Sequence, residues 1–205
     1  MNDYYKQGRW ELISKQHSNL KKTGYSSILF GNSMTENFAP YLPVSDSIIN
    51  MGISGDFSEG LIKRIDNVIN FQPNNIFIMI GINDIIEKVP LSIIQNNYLE
   101  ILELIEKNCP NTKIYIQSTL PTRDLESLIS SSNSINKKVQ ALNLFLNEIS
   151  NKKSITFIDM YSEFTDKNNE LSEELTTDGI HLTKAGYILW ITHLENQIQL
   201  PKFRL

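Results

Sequence analysis

The stretch Ser27-Ile28-Leu29-Phe30-Gly31-Asn32-Ser33-Met34-Thr35-Glu36 decides how this chain is read. An apolar run stops at a glycine, and hydroxyl and amide residues follow at once, the pattern of a buried strand ending in a sharp turn into a helix. Ser33 stands at that turn. In an open parallel α/β sheet, ligands sit just beyond the strand ends, so a hydroxyl placed there reaches a substrate. Taken alone, the stretch reads as a helix cap, because Asn32, Ser33 and Thr35 are all types that satisfy free backbone N–H groups.

Three distant stretches change that balance. Asn50-Met51-Gly52-Ile53-Ser54-Gly55 follows the short apolar run Ile48-Ile49. Gly81-Ile82-Asn83-Asp84 follows Ile76–Ile80, and Asp178-Gly179-Ile180-His181 stands near the end. Each lies just after an expected strand or just before an expected helix. Serine, glycine, asparagine and histidine in this order and context resemble the SGNH (GDSL-type) hydrolase family of esterases and acylhydrolases, including its platelet-activating-factor acetylhydrolase-like members. The likeness runs from about Ile28 to Ile198, and four blocks in register are far more specific than any one of them.

Between these blocks the chain alternates strand and helix patterns. Ser27–Phe30, Ser47–Asn50, Asn75–Ile80, Lys113–Gln117 and Ile155–Ile158 read as buried strands. Phe57, Leu61, Ile65 and Val68 recur at spacings of three and four and predict one helix. Leu91–Ile105, opened by Pro90, predicts a second, Ile135–Ile149 a third, and the segment from Thr183 with Leu189, Trp190, Leu194 and Ile198 facing inward a fourth. An irregular apolar stripe of Tyr4, Tyr5, Trp10, Leu12, Ile13 and Leu20 predicts an N-terminal helix within residues 1–25 that packs beside the sheet, with Trp10 as an anchor. Ser127–Ser134 reads as a serine-rich surface loop, and Ser162–Thr177 as short helical turns and loop. The alternation predicts an α/β fold, a parallel sheet with helices on both faces. Taken with the resemblance, the expected architecture is doubly wound and flavodoxin-like, five strands in the order 2-1-3-4-5, as a single domain over residues 1–205.

Composition narrows the function. At 205 residues, 40% hydrophobic, with 9 Gly and 7 Pro, one domain with a real core is expected. A net charge of −4 with no basic patch argues against a nucleic-acid partner or an anionic membrane surface. A lone cysteine, Cys109, excludes an internal disulfide and reads as a packing or turn residue at a helix end. No run reaches membrane-spanning length, and the first residues lack the pattern of a secretory signal. The chain is therefore expected to be soluble, with cytoplasmic, periplasmic and secreted settings all open.

A serine hydroxyl is a weak nucleophile at neutral pH and needs a base beside it. His17 and His193 fall within predicted helices, whereas His181 lies in a polar loop. Asp178, three residues before His181, is close enough in a tight turn to hold the imidazole's other N–H, although Asp-Gly is also an ordinary turn pair. The resemblance implies Ser33, Asp178 and His181 as nucleophile, acid and base. It implies an oxyanion hole of Ser33, Gly52 and Asn83, hydrolysis through an acyl-enzyme, and no metal or organic cofactor. Its substrates are small esters, among them acetylated sugars, lysophospholipids, thioesters and platelet-activating-factor-like esters. Where the family's first block usually reads Gly-Asp-Ser, this chain has Gly31-Asn32-Ser33, which keeps the shape of the side chain and loses its charge. From the residues alone two other classes stand: a flavodoxin-like module in which Asn32, Ser33, Thr35 and Asn37 cradle a flavin phosphate, and a catalytically silent ligand-binding domain.

Overall fold

The computed structural model describes residues 8–20, 27–42, 48–123, 132–153 and 155–197. Five parallel strands form one sheet in the order β2-β1-β3-β4-β5: β1 Ser27–Gly31, β2 Ile48–Gly52, β3 Asn75–Met79, β4 Lys113–Gln117 and β5 Thr156–Ile158. The parallel direction matches that expected from the alternating pattern, and the order matches that of the expected flavodoxin-like architecture. The bounds of β4 are those expected, and the others move by one or two residues; β2, for example, runs on to Gly52.

Successive side chains of a strand point to opposite faces, so a sheet covered on both sides must be apolar at every position. All five residues of β1 are buried. Ile28 and Phe30 pack, with Ile49, Met51, Ile76, Ile78, Ile114 and Ile116, against one set of helices. That set comprises α3 Ser58–Lys63, α4 Ile65–Ile69, α5 Ile82–Ile86, α6 Leu91–Asn108 and α7 Ser132–Lys153. Leu29, Phe77, Met79, Tyr115 and Ile158 face the other layer, made by α2 Ser33–Glu36, α8 Tyr161–Phe164 and α9 Lys184–Gln197. There Trp190 donates from Nε1 to Gln117 Oε1 at 2.7 Å, and Tyr187 donates to the Met34 carbonyl at 3.1 Å, seating α9 against the turn that carries Ser33.

Two expectations need correction. The periodicity from Phe57 to Val68 is not one helix: it breaks at Arg64, whose backbone leaves helical geometry at φ −119°, ψ 18°. The Arg64 side chain is wholly buried, and its guanidinium reaches carbonyls at the ends of β1 and β2. The N-terminal helix exists as α1 Gly8–Ser18, but Leu12 and Leu20 are exposed, so its apolar stripe is not a buried face. It is held through polar anchors instead: Trp10 Nε1 donates to Asp56 Oδ1 at 3.0 Å, and Asn67 Nδ2 of α4 donates to the Ser14 carbonyl at 3.0 Å. Tyr4, Tyr5, Ile198 and most of the serine-rich segment lie outside the described residues. Pro90 is the N-cap of α6 and Cys109 its buried C-cap.

Candidate active site

The C-terminal ends of β1, β2 and β3 bring the quoted blocks to one edge of the sheet. Asn32 caps α2, its Oδ1 accepting the Met34 N–H at 3.1 Å, and Ser33 follows as the first residue of that helix. Asn32 is 1% exposed. A neutral amide supplies the acceptor this cap needs without burying a charge, which accounts for asparagine at this position.

The second half of the site comes from a turn closed by its own backbone. Thr177 N–H and Thr176 Oγ1 both donate to the His181 carbonyl at 2.9 Å, and Gly179 N–H donates to Thr176 Oγ1 at 2.9 Å. Arg123 N–H ties this turn to the end of β4 by donating to the Gly179 carbonyl at 2.8 Å. The Arg123 side chain pairs with Asp166 and donates from Nε to the Leu171 carbonyl, anchoring the preceding loop. Within the turn, Asp178 Oδ1 accepts the Ile180 and His181 N–H groups at 3.0 and 2.7 Å. His181 Nδ1 lies 2.7 Å from Asp178 Oδ2, and His181 Nε2 lies 3.0 Å from Ser33 Oγ across 148 residues of chain. Partial burial pushes the Asp178 carboxyl upward, but the bonds from the His181 ring and from the two backbone N–H groups outweigh it. They hold the group below the ordinary aspartate range. An ionised carboxylate on Nδ1 fixes that proton there and leaves Nε2 facing the hydroxyl.

The expected oxyanion residues fare differently. The Ser33 backbone N–H has no hydrogen-bond partner among the described residues. Asn83, in α5, donates from Nδ2 to the Asp56 carbonyl at 2.8 Å, which orients its amide beside the 53–57 loop. Gly52 serves the packing of α2 on β2. Its single N–H donates to Asn50 Oδ1 at 2.8 Å, so it is engaged within the protein. Its missing side chain makes room for α2: a Cβ there would stand 2.1 Å from the Glu36 nitrogen. Asn50 completes the clamp by donating from Nδ2 to the Thr35 carbonyl at 2.5 Å. Three residues on, Gly55 adopts φ 78°, a conformation glycine enters without strain. Its N–H has no partner among the described residues, and it lines an open cleft with Phe57, Asn83, Ile86 and Glu87. The quoted block already contained Gly55, and its place in Ser54-Gly55-Asp56, a turn-forming run, was the available signal.

Three charged residues beneath the site were not singled out by the sequence. Asp56 and Arg64 form an ion pair with both side chains fully buried. Burial pushes the Asp56 carboxyl upward, against the charge and hydrogen bond of Arg64 and the donors of Trp10 and Phe57. Asp84, next to Asn83, accepts the Ser58 N–H and hydroxyl at 3.0 and 2.6 Å, and burial raises it to about 6. A small apolar cleft opens between Asn32 and Met34, which flank Ser33, and Ile180, which flanks His181. Met79, Ile80, Ile82 and Leu120 line it, and it has room for about one water molecule.

The parallel sheet is doubly wound, with Ser33 just after β1 and Asp178 and His181 in contact with each other and with Ser33 from the turn before α9. Residues 26–189 match the model of the GDSL-like Lipase/Acylhydrolase family, and the chain belongs to that family of carboxylic ester hydrolases. Among solved structures it is similar to a protein of Streptococcus pneumoniae assigned as a platelet activating factor, with TM-score 0.84, 26% identity and 95% of each chain covered. A protein of Bacteroides fragilis assigned as an acylhydrolase gives 0.81 at 27% identity, covering 92% of this chain and 95% of that one. Among curated proteins it is 26% identical over 203 residues to the N-acylneuraminate cytidylyltransferase of Streptococcus agalactiae serotype III. That match takes in 96% of this chain and 41% of the relative, so the chain spans about two fifths of the length of the curated relatives it matches.

Proposed function

We propose that this protein is a serine esterase that removes short O-acyl groups, acetyl foremost, from a sugar. The observation that carries the reading is the chain of contacts from Ser33 Oγ to His181 Nε2 at 3.0 Å and from His181 Nδ1 to Asp178 Oδ2 at 2.7 Å. A polar residue that merely capped α2 would have no need of an oriented imidazole on its hydroxyl.

In this mechanism Ser33 Oγ attacks the ester carbonyl carbon while His181 Nε2 takes the hydroxyl proton, and Asp178 stabilises the imidazolium that forms. The tetrahedral intermediate carries its negative charge on the former carbonyl oxygen. The Ser33 and Gly55 N–H groups and the Asn83 amide are the donors that receive it, with Gly55 in the place expected of Gly52. His181 returns the proton to the departing alkoxide, which leaves as the sugar hydroxyl, and the acyl group stays on Ser33. Water then attacks the acyl-enzyme, giving up its proton to His181, and the carboxylic acid departs as Ser33 regains its hydroxyl.

The small cleft between the neighbours of Ser33 and His181 has room for a methyl group and supports a short acyl group. The choice of alcohol rests on the curated relatives. In a protein that acts on an N-acylneuraminate, a segment like this chain makes up about two fifths of the length, and an O-acetyl ester of such a sugar is a substrate that would bring the two parts together.

The test is acetate release from O-acetylated N-acetylneuraminate, set beside an acetylated neutral sugar, a lysophospholipid and a decanoyl ester. Turnover of the acetylated sugars with kcat/KM at least tenfold above the other esters is expected. Preference for the lysophospholipid or the decanoyl ester would overturn the short-acyl reading, and equal turnover of both sugars would remove the N-acylneuraminate assignment.

A further inference from the structure

One buried cation joins the ends of β1 and β2 and, through Asp56, reaches Asn83 beyond β3. Arg64 donates from Nη2 to the carbonyl of Gly31, two residues before Ser33, at 2.8 Å. From Nη1 it donates to the Met51 carbonyl at the end of β2 at 2.6 Å, and from Nε to Asp56 Oδ2 at 2.8 Å. Its guanidinium carbon stands 4.4 Å from the centre of the Phe30 ring. The Gly31 carbonyl also accepts the Ile53 N–H at 3.1 Å, so the nucleophile's strand and the 53–57 loop meet at this one oxygen.

Asp56 carries the arrangement onward. Its carboxylate accepts N–H groups from Arg64, from Trp10 of α1 and from Phe57. Its main-chain carbonyl accepts the Asn83 amide, and its neighbour in the chain is Gly55. The Asn83 and Gly55 donors are thus one hydrogen-bonded or covalent step from the ion pair, and Ser33 lies two residues beyond the Gly31 carbonyl that Arg64 holds.

A buried ion pair is a poor device for stability alone, because desolvating both charges offsets most of their attraction and apolar residues of the same volume serve as well or better. What the pair supplies is geometry. The guanidinium is a planar fork of five N–H donors, able to hold several oxygens in fixed directions at once, which the single ammonium of lysine does not do. Oxyanion stabilisation depends on such fixed directions, since the donors must be in place before charge develops.

We propose that Arg64 and Asp56 are positioning residues for the reaction: the pair sets the distance between Ser33 and the Asn83 and Gly55 donors, and Asp56 acts chiefly by holding the Asn83 amide. The inference rests on the esterase reading above and extends it to two residues that never touch substrate.

A double-mutant cycle tests it, with kcat, KM and Tm measured for the wild type, Asp56→Asn, Asn83→Ala and the double variant. Asp56→Asn keeps the shape and one acceptor while removing the charge opposite Arg64. It is expected to lower kcat by roughly 10–100-fold with KM changed less than about threefold, the scale of a donor misplaced by about an ångström. In the Asn83→Ala background the same substitution should cost less than about threefold, because the group it positions is gone. A structural role would lower Tm and give independent, multiplying losses. Multiplying losses in an active protein would therefore overturn this inference and leave the esterase reading standing. A wild type that hydrolyses no ester would overturn both. Should Asp56→Asn fail to fold, Trp10→Phe, which removes one donor to Asp56 from a half-buried ring, runs the same cycle with an expected loss of about three- to tenfold, and multiplying losses there would overturn the inference equally.

Discussion

Replacing Asn83 by alanine removes two things whose sizes differ enough to be separated. As an oxyanion donor Asn83 stabilises charge that is full only in the transition state, and loss of one such donor costs roughly 10²–10³ in kcat, about 3–4 kcal/mol. The ground-state carbonyl carries little charge, so KM should change by less than about threefold. As a structural group Asn83 makes one hydrogen bond, from Nδ2 to the Asp56 carbonyl at 2.8 Å, from a half-buried position. Such a bond contributes about 1 kcal/mol net. In a chain of 205 residues that corresponds to a fall in Tm of about 2–4 °C. Initial-rate kinetics on an acetyl ester and a thermal melt of the same preparation read both quantities. A kcat within about fivefold of wild type in a protein with the expected Tm would remove Asn83 from the mechanism. A fall in Tm well beyond about 4 °C would show that the turn, not the oxyanion, depends on it.

The other predictions concern single residues. Gly52→Ala places a methyl group 2.1 Å from the Glu36 nitrogen, so it should destabilise by about 1–3 kcal/mol or more, seen as a lower denaturation midpoint; an unchanged midpoint would refute the close packing of α2 on β2. Asp178→Asn should lower kcat by about 10³–10⁴ with little change in Tm, because the imidazole loses the carboxylate that fixes its tautomer; a loss under tenfold would separate Asp178 from the chemistry. His17, desolvated by burial and repelled by Arg64 although drawn the other way by Glu36, falls from 6.5 to about 4. Its folded value lies below its unfolded one, so its contribution is present above pH 6.5 and is lost as pH falls through about 4, at most about 3 kcal/mol. Denaturant midpoints should therefore drop more steeply between pH 7 and pH 4 for wild type than for His17→Gln. Asp84, raised to about 6 by burial, acts in the opposite sense in both proteins, so parallel curves would refute the assignment to His17.

Periodicity exposed the sheet because a strand covered on both faces must be apolar throughout, and Ile28–Phe30 and Ile76–Met79 are. The break at Arg64 escaped the same reading. A helix pattern counts apolar positions, and Arg64 sits at core spacing between Leu61 and Val68 as a charge that neutralises itself against Asp56 and two carbonyls. A charged residue on an apolar stripe was the signal. Ser33, Asp178 and His181 were legible because their blocks are short and ordered along the chain, and the structure brings their side chains together. Gly52 and Gly55 were not separable by sequence, since both stand in one six-residue block. Only the bond from Gly52 N–H to Asn50 and the positive φ of Gly55 distinguish a glycine that admits a helix from one that bends a loop. The N-terminal helix misled for a related reason: an apolar stripe suggested burial, whereas the helix is anchored by Trp10 and Asn67 hydrogen bonds that periodicity does not record.

The central claim is that Ser33 is an activated nucleophile. Incubating the folded protein with a fluorophosphonate and reading the intact mass, followed by peptide mapping, tests it most directly. The account predicts a single adduct on the peptide carrying Ser33, abolished in Ser33→Ala and slowed at least a hundredfold in His181→Ala. No adduct on folded protein, or an adduct on another residue, would contradict it.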